Sequence, residues 1–179
     1  GLRLLPAGRQ PGAGRRLDHR AGPGCGGVSD LRLRFGQPAE REHLEELQRR
    51  ASLMHDAYRD ALLANPDMIA LPRWQLEDRC VRVAERDGQA LGFSVVLPRS
   101  QTAILDGLFV EPDRWKQGIG RALMEDAFVL ARAAGAEVME VLANPYADGF
   151  YARLGFVRIG TVTTPLGIGG KMRRLLGQT

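Results

Sequence analysis

Apolar positions recur along the chain with two different periods, and the places where one period gives way to the other divide it into elements. Leu31-Arg32-Leu33-Arg34-Phe35 alternates apolar with polar, the pattern of a half-buried strand. Gly36 breaks that run, and Pro38 suits the first turn of a helix on which Leu44, Leu47 and Ala51 share one face. Leu53, Met54, Ala57, Tyr58, Ala61 and Leu62 form a second stripe at helical spacing, closed by Asn65-Pro66-Asp67. Residues 79–86 alternate again with Val81 and Val83 inward, Asp87-Gly88 signals a hairpin, and residues 90–97 supply the partner strand. Residues 102–110 read as another strand, with Gly107 marking a place for a bulge.

The period then lengthens. Residues 118–134 predict a long helix facing a core with Ile119, Leu123, Ala127, Leu130 and Ala134, and Gly135 closes it. Residues 137–143 are a strand, Asn144-Pro145 caps a short helix to Leu154, and residues 156–163 and 171–176 are further strands. The order β-α-α-β-β-β-α-β-α-β-β predicts an α/β domain with a single mixed sheet flanked by helices.

Composition changes this picture at one end only. With 179 residues, 44% of them hydrophobic and 26% charged, the chain has the make-up of one globular domain. Residues 1–30 are different: glycine-rich, with Pro6, Pro11, Pro23 and five arginines (Arg3, Arg9, Arg15, Arg16 and Arg20). So few apolar side chains cannot offset the entropy of ordering, so residues 1–30 are expected to be a disordered tail and residues 31–179 the folded domain. The tail lacks the apolar core of a signal peptide and the serine-rich amphipathic pattern of a transit peptide. It reads as extraneous sequence in preference to an RNA-binding arm.

The net charge of +4 divides the same way. Residues 1–36 carry seven arginines against two aspartates, whereas residues 37–179 carry eighteen basic against nineteen acidic side chains. The folded part is nearly neutral, so the isoelectric point of about 9.6 does not indicate a nucleic-acid partner. Cys25 and Cys80 show no ligand spacing, and His19, His43 and His55 are scattered; no metal site and a reducing, cytoplasmic setting are expected. The longest mainly apolar stretch, residues 90–97, is far shorter than the ~20 residues that span a bilayer, so no membrane is expected.

Chemistry concentrates in Leu108-Phe109-Val110-Glu111-Pro112-Asp113-Arg114-Trp115-Lys116-Gln117-Gly118-Ile119-Gly120-Arg121, where a strand and a turn lead into a glycine-spaced helix start. Amides at a helix start lack intrahelical acceptors, and the helix dipole adds positive potential there, which suits a phosphate or diphosphate. No Gly-Lys-Ser/Thr follows and the spacing is not G-x-G-x-x-G, so two familiar phosphate loops are excluded. A merely tight helix start is the alternative reading of Gly-x-Gly alone.

Over about residues 31–176 the chain resembles the GCN5-related N-acetyltransferases, the GNAT superfamily. Their acetyl-CoA loop is written Arg/Gln-x-x-Gly-x-Gly/Ala; here Trp115-Lys116-Gln117-Gly118-Ile119-Gly120 departs at the first position, where backbone amides carry most of the contact. The segment from Asn144 to Phe156, ending Tyr151-Ala152-Arg153-Leu154-Gly155-Phe156, resembles the family's later motif. The resemblance implies a mostly antiparallel central sheet of acyl-CoA N-acyltransferase type and transfer of acetyl from acetyl-CoA, as co-substrate, to a primary amine in a ternary complex. It implies that Leu108 and Val110 offer backbone groups to pantetheine, with the Val110 N–H facing the oxyanion. Gln117, Gly118, Ile119, Gly120 and Arg121 would cradle the diphosphate, and Asn144 would touch CoA while also capping its helix.

Tyr151 matches the family's tyrosine acid, or else packs beside Phe150 and Phe156. The base is open: many relatives have a Glu where Ile104 stands, and Asp106 two residues on could work through a water, bind a cationic acceptor, or be a polar residue at a strand kink. Glu111 reads as a solvated turn charge; the region of Tyr58, Arg73 and Trp74 would wall the acceptor pocket, although Tyr58 reads first as core packing on its helix stripe, with residues 71–74 as a mobile lip. A catalytically silent acyl-CoA-binding regulatory domain is the rival reading, carried by the missing Glu at 104. A tRNA-directed enzyme would need a basic face that the domain lacks. The acceptor, a small-molecule or peptide amine, is not named by the sequence, and neither is the oligomeric state, where a strand-edge homodimer is one option.

Overall fold

The computed structural model describes residues 30–177, so the tail expected over residues 1–30 lies outside the described residues except for Asp30. The chain runs through β1 (Arg32–Phe35), α1 (Arg41–Leu53), α2 (Asp56–Ala64), α3 (Arg73–Glu77), β2 (Val81–Arg86), β3 (Gln89–Arg99) and β4 (Thr102–Val110). It continues through α4 (Ile119–Ala133), β5 (Val138–Ala143), α5 (Asp148–Arg153), β6 (Val157–Thr164) and β7 (Gly167–Leu175). Seven strands form one sheet in the order β1-β2-β3-β4-β5-β7-β6, every neighbouring pair antiparallel except β4 with β5. The mixed, mostly antiparallel sheet flanked by helices agrees with the expectation.

Local chemistry explains the turns. Asp87 and Gly88 both take positive φ, 51° and 76°, the geometry that a two-residue hairpin needs to match strand twist. Gly135, at φ 87°, ends α4 in the left-handed conformation that glycine adopts without penalty. At the sheet edge Arg34 on β1 holds Glu40 in a fork of 2.6 and 2.8 Å and reaches Glu85 on β2 at 2.6 Å, fastening the entry to α1.

The two faces of the sheet bury separate cores. On one, Leu105, Met124, Phe128, Met139, Tyr151 and Phe156 pack under α4 and α5, and Ile119 and Leu123 extend that layer toward Ala84 and Leu91. On the other, Leu44 and Leu47 of α1 cover Val81, Val83, Phe93 and Phe109. The sequence reading missed α3 and placed a mobile lip at residues 71–74. Leu71 is instead fully buried and Trp74 packs against the α1 core, so a one-and-a-half-turn helix fills the space where a lip was expected.

Two irregularities of β4 shape everything that follows. Val95 pairs with Gly107 but Val96 pairs with Leu105, which leaves Asp106 as the extra residue of a bulge. Ala103 and Leu105 therefore face α4, and beyond the bulge Leu108 and Val110 do so again while Phe109 turns to α1. Secondly, β4 pairs with β5 only from Thr102 to Leu105 against Val138 to Val141. Past that point the two strands diverge and open a wedge between them.

Candidate functional site

The wedge leads into a cavity of about 650 Å³ bounded by parts distant in sequence. Leu108 and Val110 of β4 and Asn144 at the end of β5 line it from the sheet, with Tyr151 from α5. Gly118, Ile119, Gly120 and Arg121 line it at the start of α4. A second arm runs between α1 and α2, lined by Gln48, Ser52, Tyr58, Leu62 and Met68, with Leu166 from the β6–β7 turn.

The α4 entrance has the backbone of an anion site. After a 3-10 turn over Pro112–Arg114, Lys116 takes φ 63° and Gly118 takes φ 82°, so left-handed residues alternate along the loop and turn successive amides inward. Gly118 is the helix cap and has no side-chain cap bond, so the first N–H groups of α4 stay available. Gly120 is informative in another way. A Cβ there would meet Phe150 and Val110 only at 3.6–3.7 Å, ordinary contact distances, so packing within the protein does not demand glycine. The bare backbone leaves room for a ligand instead. Gln117 is exposed and donates from Nε2 to the Asp113 carbonyl at 3.3 Å; it shapes the loop and does not line the cavity.

Asn144 does what its position suggested: its Oδ1 accepts from the Ala147 N–H at 2.8 Å, capping the turn into α5 while the residue lines the cavity. Tyr151 packs between aromatic rings, as one of its readings has it. Its ring sits edge-on between Phe150 and Phe156 at 5.2 and 5.5 Å, and the residue also borders the cavity. Burial raises its phenol well above the ordinary range, which keeps it protonated at neutral pH. Asp106 is not brought together with these residues. Its carboxylate accepts from Gln75 Nε2 on α3 at 3.0 Å, and it lies outside the cavity lining. Asp106 is the extra residue of the bulge, and it turns to α3 on the same side of the sheet as Ile104, whose partner Leu97 packs there. Glu111 is no solvated charge either: Arg50 of α1 grips it through Nε at 3.1 Å and Nη2 at 2.5 Å.

Sequence reasoning missed an aromatic stack over the cavity. His55, in the α1–α2 turn, lies parallel to Tyr146 with centroids 4.5 Å apart and near-parallel to Trp115 at 6.0 Å, and Tyr58 meets the His55 and Tyr146 rings edge-on. Trp115 Nε1 donates to the Val110 carbonyl at 2.8 Å. No sequence spacing joins residues 55, 115 and 146, because the wedge brings three separate loops together. Partial burial lowers the His55 pKa, so its imidazole is neutral at pH 7.

The charge of the lining is one-sided. Arg114, Lys116, Arg121 and Arg153 border the cavity, and among the described residues no Asp or Glu does. No group of three or more His, Cys, Asp or Glu side chains gathers at metal-binding distances among the described residues. None of the helices described is long and apolar enough to cross a membrane.

Comparison with known proteins agrees with this geometry. Residues 77–158 match the profile of the acetyltransferase (GNAT) domain. The chain is similar to the peptidyl-lysine N-acetyltransferase YjaB of Salmonella typhimurium, 31% identical over 133 residues that cover 70% of this chain and 83% of that protein. It is also similar to YjaB of Escherichia coli, 38% identical over 76 residues, 42% of this chain and 47% of the relative. Among solved structures, the PaiA N-acetyltransferase of Thermoplasma acidophilum in complex with coenzyme A shares the fold with a TM-score of 0.69 at 16% identity, covering 82% of this chain and 99% of that one. The acetyltransferase yncA of Salmonella typhimurium, with acetyl-CoA, does so with a TM-score of 0.64 at 22% identity, covering 84% and 96%.

Proposed function

The chain belongs to the GNAT acetyltransferases and is an acetyl-CoA-dependent N-acetyltransferase, and from that premise we propose that it acetylates a monoamine, with the side chain of a peptide lysine as the leading candidate, by direct attack in a ternary complex. The observation that carries this reading is the cavity lining, which among the described residues offers four cationic side chains, no carboxylate and an apolar second arm. The names of the two similar proteins support the peptide lysine.

Each part of the cavity has a chemical task. The alternating left-handed residues Lys116 and Gly118 and the first amides of α4 hold the diphosphate of the co-substrate, with Gly120 leaving space beside them. The diverging edge of β4 at Leu108 and Val110 orients the pantetheine arm, and the Val110 N–H stabilises charge developing on the thioester oxygen. An acceptor ammonium, with an ordinary pKa near 10.4, must lose a proton before it attacks. Nearby cations disfavour its charged form and lower that pKa. His55, neutral and on the cavity wall, takes the proton in preference to Asp106, which the bulge directs to Gln75. As nitrogen bonds to the acetyl carbon and the carbon–sulfur bond breaks, Tyr151 gives its proton to the departing thiolate.

The absence of lining carboxylates sets the acceptor class apart. Polyamines and aminoglycosides carry several ammonium groups that need acidic partners, whereas one amine on an apolar stem does not. Thiol release from acetyl-CoA with a lysine peptide, spermidine and an aminoglycoside tests this. Turnover with the peptide alone is expected, and preference for either polycation would overturn the proposal.

We further infer a reducing, cytoplasmic setting, supported by Cys80, whose buried thiol is pushed up to about 12 by desolvation and is correspondingly unreactive. A nucleic-acid acceptor is not part of the proposal, given the near-neutral domain. An edge-to-edge homodimer is supported by exposed Val157 and Ile159 on β6, the last strand of the sheet.

A further inference from the structure

Gln48 is a polar side chain buried in an apolar place. It lies on α1 at 2% exposure and lines the second arm of the cavity among Leu62, Met68 and Leu166. Its Nε2 donates to the Met68 carbonyl at 3.4 Å, which fixes the orientation of the amide, since the opposite orientation would set two oxygens against each other. Its Oε1 is buried without a hydrogen-bond partner. A buried acceptor left unpaired is costly, and such a cost persists in a folded protein where a ligand supplies the missing donor.

Resting on the monoamine reading above, we propose that Gln48 is an acceptor-recognition residue: its Oε1 receives an N–H of the incoming amine, and the apolar walls around it take the aliphatic stem. This arrangement suits a donor nitrogen on a methylene chain. It is poorly matched to a hydroxyl-rich or polycationic acceptor, because one acceptor atom serves one donor and the surrounding surface of Leu62, Met68 and Leu166 satisfies no others. A neutral amide oxygen favours the ammonium over the uncharged amine far less than a carboxylate does, so it opposes the deprotonation that attack requires only weakly. A carboxylate at the same place would hold the ammonium form and raise its pKa.

The test uses the full chain and a conjugate in which the sulfur of CoA is joined through an acetyl bridge to the ε-nitrogen of a lysine peptide. Binding of CoA and of the conjugate is measured by calorimetry for the wild type and Gln48→Met, which keeps the length of the side chain and removes its polar atoms. The wild type should bind the conjugate more tightly than CoA. Gln48→Met should lose about tenfold on the conjugate and no more than about twofold on CoA. Its melting temperature without ligand should change little, because the unpaired Oε1 and the long Nε2 bond to the Met68 carbonyl disappear together; a purely structural role would lower it. A parallel loss on both ligands, a lower melting temperature or an undiminished conjugate advantage would each overturn the assignment. A wild type that holds CoA but gains nothing from the lysyl arm would overturn the monoamine reading and this assignment together, whereas one that does not bind CoA would overturn the cleft itself.

Discussion

Replacing Trp115 by Phe should tighten the binding of CoA. In the ligand-free fold the Trp115 indole donates to the Val110 carbonyl at 2.8 Å, occupying the backbone acceptor that the β4 edge would offer to a pantetheine amide. An amide entering the wedge must displace that indole. A hydrogen bond of this kind contributes a net ~0.5–1.5 kcal/mol, with the lower half more apt here because Trp115 is 39% exposed. Phe keeps an aromatic ring beside His55, so the stack persists while the competing donor disappears. Removing the competition should therefore improve CoA affinity by about 2- to 5-fold. Calorimetry on the two proteins reads this directly. Fluorescence gives a second view: the chain has two tryptophans, and Trp74 lies in the α1 core, so a change on adding CoA to the wild type reports Trp115. Equal or weaker affinity in the variant would refute the displacement, because the indole would then stay in place or belong to the bound site.

Gly120→Glu should fold, since its Cβ meets nothing closer than 3.6 Å, yet a carboxylate there faces the diphosphate. Repulsion of about 4 kcal/mol should lower CoA affinity roughly a thousandfold, read by calorimetry beside a melting temperature that changes little. Tyr151→Phe retains the packing between Phe150 and Phe156, so CoA binding should stay within about twofold while turnover falls about a hundredfold or more; unchanged turnover removes the hydroxyl from the mechanism. His55 has a lowered pKa, so it accepts protons above that value and is protonated below it. Activity should decline as pH falls through a value under the usual 6.5, and His55→Phe should abolish that limb of the pH profile. If the limb remains in the variant, the base is another group.

Much of the fold was legible because periodicity and turn chemistry act locally. Asp87-Gly88, Gly135 and Asn144 each do what their backbone preferences foretold, and the β4 wedge carries Leu108 and Val110 to the cavity where the resemblance placed them. The misses share a cause, namely contacts between segments far apart in sequence. The helix at 73–77 is too short for a periodic signal and is held by burial of Leu76 and Trp74. Glu111 looked solvated until Arg50, sixty-one residues away, was seen to grip it. Asp106 is drawn to Gln75 of α3, thirty-one residues away, a contact that no spacing along β4 reveals. His55 and Gln48 gave no signal, because a lone histidine and a glutamine on a helix acquire meaning only from what surrounds them.

The extra residue in β4 has a consequence for how this strand can vary. On the inner half, odd-numbered side chains serve the α4 layer; on the outer half, even-numbered ones do. A single deletion at Asp106 would leave those duties as they are, because with Leu105 joined to Gly107 plain alternation still sends Leu108 to α4 and Phe109 to α1. Loss of one codon there should therefore keep both cores packed and remove only the bulge and the carboxylate that meets Gln75.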